Sequence, residues 1–156
     1  MTAAFAPFPP WRWSVPARLN IGVACTDAHL GPPAEDRVAM IVEDDARDAI
    51  AITYGELAAR TSRFAQLLRS LGVEAGERVL IRLPNSLDYP TAFLGAMKRG
   101  AVSVPTSTLL TAEEVEYLAH DSGARAIVID KAAWQAMGPK LAGREALGFA
   151  LLSGPG

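Results

Sequence analysis

From Arg78 onward the sequence alternates short apolar runs with stretches of ten-odd residues at helical spacing, and this alternation limits the possible folds more than any single residue does. Val79–Leu83, Ala101–Val104 and Ala126–Asp130 read as strands, the first almost continuously apolar, as a strand covered on both faces would be. Strands separated by whole helices cannot pair as hairpins. They lie parallel, joined by right-handed crossovers. The fold class predicted is α/β: a mostly parallel doubly wound sheet with flanking helices, preceded by a β-hairpin and an extended N-terminal strap.

Local signals place the helices. Pro84-Asn85-Ser86 ends the first strand and can cap a helix over Leu87–Arg99, in which Pro90 falls in the tolerant first turn and Gly100 closes the far end. Thr111 and Glu114 form a T-x-x-E capping box, with Val115, Leu118 and Ala119 on one face before Gly123. A helix over Ala132–Leu141 and a strand over Phe149–Leu152 follow. Ending straight after a strand, at Ser153-Gly154-Pro155-Gly156, the domain reads as cut.

Upstream, Val38–Glu43 and Ala49–Thr53 suggest a hairpin around a solvated loop, Asp44–Asp48. Thr53 and Glu56 make a second capping box. Leu57, Thr61, Phe64, Leu68 and Leu71 then recur at helical spacing opposite Arg60, Arg63 and Arg69 until Gly72, which predicts burial of that stripe against the sheet or hairpin. Residues 1–18 contain Pro7, Pro9, Pro10 and Pro16 with Trp11 and Trp13, an extended strap whose rings need a surface; "PFPP" matches a PxxP ligand only formally.

The chain has 156 residues, enough for one domain with its own core, so the predicted division is a strap over 1–18 and one domain fragment over 19–156. A net charge of −2 without a basic run excludes an electrostatic footprint for nucleic acid or an anionic membrane. The early prolines interrupt any signal or membrane span. Cys25 is the single cysteine, which excludes an internal disulfide and fits a reducing, cytoplasmic setting.

Ligands of open parallel sheets gather beyond the strands' carboxyl ends, here Pro84–Ser86, Pro105–Thr111 and Asp130-Lys131. Asn85 and Ser86 are favoured capping residues, and capping is the better reading of both. Thr106, Ser107 and Thr108 form a hydroxyl cluster, but Leu109-Leu110 follows where a phosphate cradle needs glycines. No lysine follows a glycine, so no phosphate loop of the Walker type exists; Lys98, Lys131 and Lys140 read as surface charges.

Cys25 and His29, with Asp27 and Asp36 nearby, make too thin a set for zinc. His120, Asp121 and Ser122 are neighbours in one helix and point apart, and Glu113, Glu114 and Glu116 read as complements to a helix dipole. No catalytic, cofactor-binding or metal residue is assigned.

The ordered set "ITYGEL", "RVLIRLPNS", "KRGAVSVPTST" and "TAEEVEYLAHDSGARAIVI" resembles the N-terminal part of AMP-forming acyl-CoA synthetases, the adenylate-forming superfamily that includes acetyl-, benzoate- and aryl-CoA ligases. The similarity spans about Leu19 to Asp130, and "ARLNIGVACTDAHL" resembles the lead-in of the acyl-CoA ligase branch. It implies a partial domain of a larger, bacterial enzyme that joins a carboxylic acid to ATP and passes the acyl group to coenzyme A. ATP, Mg and coenzyme A are implied for the full-length enzyme and none for this fragment, whose partner would be the remainder of the synthetase chain.

The resemblance places the family's phosphate loop, adenine motif, ribose-binding aspartate and catalytic lysine later than this stretch. By position, Pro105–Thr111 resembles the segment bordering the coenzyme A approach in some relatives. Thr106-Ser107-Thr108-Leu109-Leu110 stands where certain acetyl-CoA ligases have paired glycines, and no contact is assigned to it. The leading expectation is a scaffold fragment, inactive alone; the alternatives are a stand-alone binding module that kept the scaffold without catalysis, and a small hydrolase, for which no nucleophile and base come together.

Overall fold

A computed structural model describes residues 11–14, 16–44, 47–141 and 147–154. After the short helix α1 (Ile21–Ala24), β1 (Val38–Asp44) and β2 (Arg47–Thr53) form an antiparallel pair. The rest alternates: α2 (Tyr54–Ser70), β3 (Arg78–Arg82), α3 (Asp88–Arg99), β4 (Val102–Pro105), α4 (Ala112–Ser122), β5 (Ala124–Asp130), α5 (Lys131–Leu141) and β6 (Phe149–Ser153). The last four strands make one parallel sheet in the order β4-β3-β5-β6.

Side chains on β3 alternate between two buried layers, which is why that run is apolar almost throughout. Val79, Ile81 and Leu83 join Ala126 and Val128 under α3 and α2, whereas Leu80 joins Ile127 and Ile129 under α4 and α5. The register sets Val79 beside Ala126 and Ile81 beside Val128, so each layer is continuous across the two central strands.

Both expected capping boxes are formed. Thr53 Oγ1 accepts from the Glu56 amide at 3.2 Å while Glu56 accepts from the Thr53 amide at 2.9 Å, and Thr111 with Glu114 repeats the arrangement. Gly72, Gly100 and Gly123 all take positive φ at helix ends. At Gly100, with φ of 84°, the chain leaves α3 toward β4.

The α2 stripe is buried as expected. Leu68 is fully enclosed, Phe64 and Leu71 are half-buried, and Arg60, Arg63 and Arg69 face solvent. Its main neighbour is α3, and beside α3 it packs on the same layer of the sheet, Leu68 and Phe64 sharing a cluster with Val79, Ile81 and Val128. Two local expectations fail. The hairpin strands run on to pair Asp44 with Arg47, so the loop is shorter than Asp44–Asp48, because backbone pairing continues through charged residues that need no burial. Trp11 and Trp13 pack edge to face on each other, centroids 4.1 Å apart, and stay 68% and 81% exposed, with no surface beneath them among the described residues. The "PFPP" motif lies outside the described residues.

Candidate functional site at the carboxyl end of the sheet

The chain leaves β3 for β4 on one side and crosses back to β5 on the other, so strand direction of travel reverses between β3 and β5. In open parallel sheets the crevice beyond that switch point is where ligands sit. The segments gathered there are Pro84–Leu87 after β3, Pro105–Thr111 after β4, the start of α5 after β5, and Ser153 at the end of β6.

Most polar groups at this end are already engaged in shaping the backbone. The Thr106 amide donates to the Ile81 carbonyl at 2.9 Å, Ser107 Oγ accepts from the Leu109 amide at 3.1 Å, and Thr111 serves the α4 capping box. Asp130 Oδ1 caps α5, accepting from the amides of Ala132 and Ala133 at 2.9 and 3.2 Å. Ser153 Oγ donates to Asp88 Oδ2 at 2.5 Å, tying the end of β6 to the start of α3.

Arg82, at the last position of β3, is the residue that motif reasoning passed over. It is 6% exposed, and its Nη2 donates to the carbonyls of Thr108 and Leu110 at 2.5 and 3.1 Å. A buried guanidinium thus fastens the 106–110 turn. The only signal in the sequence is a charge inside an otherwise apolar strand, which alternation assigns to a buried face.

Asn85 and Ser86 do not cap α3: its N-cap is Leu87, without a side-chain hydrogen bond. Leu87 already has helical φ and ψ, so the helical path begins after Ser86 and the favoured capping residues fall one step too early. Both instead line a groove of about 340 Å³ with Met40–Glu43, Tyr89 and Pro90, where Ser86 Oγ is buried without a partner.

The other candidates separate. Asp27 pairs with Lys98, His29 lies against the Tyr54 ring at 4.3 Å, and Cys25 is exposed; among the described residues no three His, Cys, Asp or Glu side chains gather closely enough for a metal. His120 and Asp121 face solvent, while Ser122 Oγ donates to the Leu118 carbonyl at 2.6 Å. Glu113 pairs with Lys140 at 2.6 Å on the surface, and that hydrogen bond holds its carboxyl below the ordinary value.

Lys98 is not a surface charge. Its side chain is 6% exposed, near the C-terminal end of α3 and therefore at the amino ends of the strands, away from the crevice. The reading of Lys98 as a solvated charge missed an acceptor set supplied from other segments. A nucleotide phosphate needs converging N–H groups and a cation, and the residues at the carboxyl end do not fit one. Ser107 Oγ and Thr106 Oγ1 there are engaged by backbone groups, and Leu109 projects from the turn 90% exposed.

The AMP-binding enzyme family profile matches residues 31–150, most of the chain. This chain belongs to that family. It is 44% identical over 85 residues to a benzoate–CoA ligase of Thauera aromatica, covering 54% of this chain and 16% of the relative. To an acetyl-coenzyme A synthetase of Methylobacillus flagellatus it is 35% identical over 123 residues, 79% of this chain and 18% of the relative. The crystal structure of a benzoate CoA ligase from Burkholderia xenovorans LB400 superposes with a TM-score of 0.70 at 34% identity, over 88% of this chain and 26% of that one. The chain is thus an N-terminal fragment of the adenylate-forming CoA ligase type, spanning about a sixth to a quarter of these relatives' length. No helix among the described residues is long and apolar enough to cross a membrane.

Proposed function

We propose that this chain is scaffold for an AMP-forming acid:CoA ligase, which as a whole would convert a carboxylic acid, ATP and coenzyme A to acyl-CoA, AMP and pyrophosphate through an acyl-adenylate. The observation that carries the reading is the family match over 31–150 combined with a carboxyl end most of whose polar groups are committed to turns and caps. Residues 19–156 form the partial domain and residues 1–18 its lead-in; the remainder of the synthetase is the partner, and the cytoplasm the setting.

ATP and Mg would be held by groups outside this chain. Within it, Arg82 and the Thr111–Glu114 capping box set the shape of one wall of the crevice, and their role is positional. Alone, the chain would form no acyl-adenylate. Titration of the isolated chain with MgATP, and separately with coenzyme A, followed by amide chemical shifts, tests this. Scaffold predicts no saturable change with either. Saturable binding would move the reading to a stand-alone binding module.

A further inference from the structure

Lysine is rarely enclosed unless each of its donors finds a partner. Lys98 Nζ finds three: it is ion-paired with Asp27, and donates to the Ala58 carbonyl at 3.1 Å and to Ser62 Oγ at 3.0 Å. Two of these belong to α2 and the third to the segment preceding β1. One ammonium therefore joins three parts of the chain.

That preceding segment buries little apolar surface. Leu19, Ile21, Val23 and Leu30 are all 42% exposed or more, and the buried residues are Gly22 and Thr26. Gly22 lies against α3 so closely that a Cβ would sit 2.5 Å from the Leu94 carbonyl oxygen. Asn20 Nδ2 donates to the Met97 carbonyl at 2.8 Å, and Thr26 Oγ1 lies 2.6 Å from the Gly22 carbonyl and 2.7 Å from Asp27 Oδ2. Backbone approach and polar links, with few hydrophobic contacts, hold the segment down.

We propose that Lys98 is a clasp: its ammonium fastens Asn20–His29 to the α2–α3 layer as a unit that can open by losing the Asp27 pair while the sheet stays folded. Regions with few apolar contacts open below the global unfolding energy, and a polar clasp concentrates the control of that opening in one group. Arginine cannot replace it, because a planar fork does not match three acceptors arranged around a compact ammonium.

The two partners are unequal, which makes the clasp testable. Removing Asp27 strands a cation with 6% exposure, whereas removing Lys98 leaves a carboxylate with 34% exposure that water can reach. Native-state hydrogen exchange would be read at the amides of Ala24, Cys25, Thr26 and His29, which are bonded within the segment, and at β3 and β5. In Asp27→Ala the segment amides should exchange on the order of tenfold faster with the strand amides unchanged. Lys98→Met should open the segment less than Asp27→Ala does, and the double variant should fall back toward Lys98→Met. Lys98→Arg should not restore protection. Unchanged segment exchange in Asp27→Ala, or strand amides accelerating in step with the segment, would overturn the clasp.

Discussion

Arg82 reaches across the end of β3 to the carbonyl of Leu110, 28 positions along the chain, and shares the same nitrogen with the carbonyl of Thr108. A charge buried in an apolar layer is costly, so the turn it holds is bought at the expense of stability. Arg82→Met should therefore leave the unfolding free energy within about 1 kcal/mol of the parent while amides 106–110 exchange faster, since the two carbonyls can turn to water. A large loss of global stability without any change in the turn would contradict the role given to this side chain.

Leu68 is fully enclosed between α2 and the layer formed by Ala92, Ala96 and Val79. Leu68→Ala should cost about 2–5 kcal/mol, through lost transfer energy and a cavity that packed helices cannot close. Denaturant unfolding measures it directly. A cost below 1 kcal/mol, roughly what exposed sites show, would mean that the stripe is not a core element.

Gly100 holds φ at 84°, and a Cβ there would meet Ala75 Cβ at 3.2 Å. Gly100→Val should destabilise by about 1 kcal/mol or more, from left-handed strain in a β-branched residue with a tight contact added. An unchanged melting temperature would place the end of α3 elsewhere.

Burial pushes the Asp27 carboxyl up, but hydrogen bonds from Lys98 and Thr26 and the Lys98 charge outweigh it, leaving the group below its ordinary value. A depressed carboxyl stabilises the fold above its unfolded value, about 3.9, and that contribution disappears as pH falls through the lower folded value. Protection of the Ala24, Cys25, Thr26 and His29 amides should fall below about pH 4 in the parent, and Asp27→Asn should lack that pH-dependent component. Parallel acid profiles would show that Asp27 is not coupled to folding.

How far the sequence reveals the fold depends on the range of the forces involved. The T-x-x-E boxes and the terminal glycines act within four residues, so they are legible locally, and β3 is legible because both its faces are buried. Lys98 was misread because its partners Asp27, Ala58 and Ser62 lie 36 or more positions away. Asn85 and Ser86 were misread because capping depends on where helical dihedrals begin, which composition does not state. At the crevice, the segments were placed correctly by topology, while Arg82 required knowing which way the end of β3 faces.

The central claim is that this chain shapes the wall of an adenylating site without performing adenylation. In-line attack on the α-phosphate requires cationic and N–H donors fixed around the phosphates, whereas at the carboxyl end the Arg82 guanidinium is turned to the Thr108 and Leu110 carbonyls and the Ala132 and Ala133 amides to Asp130. The direct measurement is acid-dependent exchange of labelled pyrophosphate into ATP, with short, branched and aromatic acids, run on residues 1–156 and on the polypeptide read through the downstream frame. The account predicts no exchange by residues 1–156 and exchange by the longer polypeptide. Acid-dependent exchange by residues 1–156 alone would contradict it.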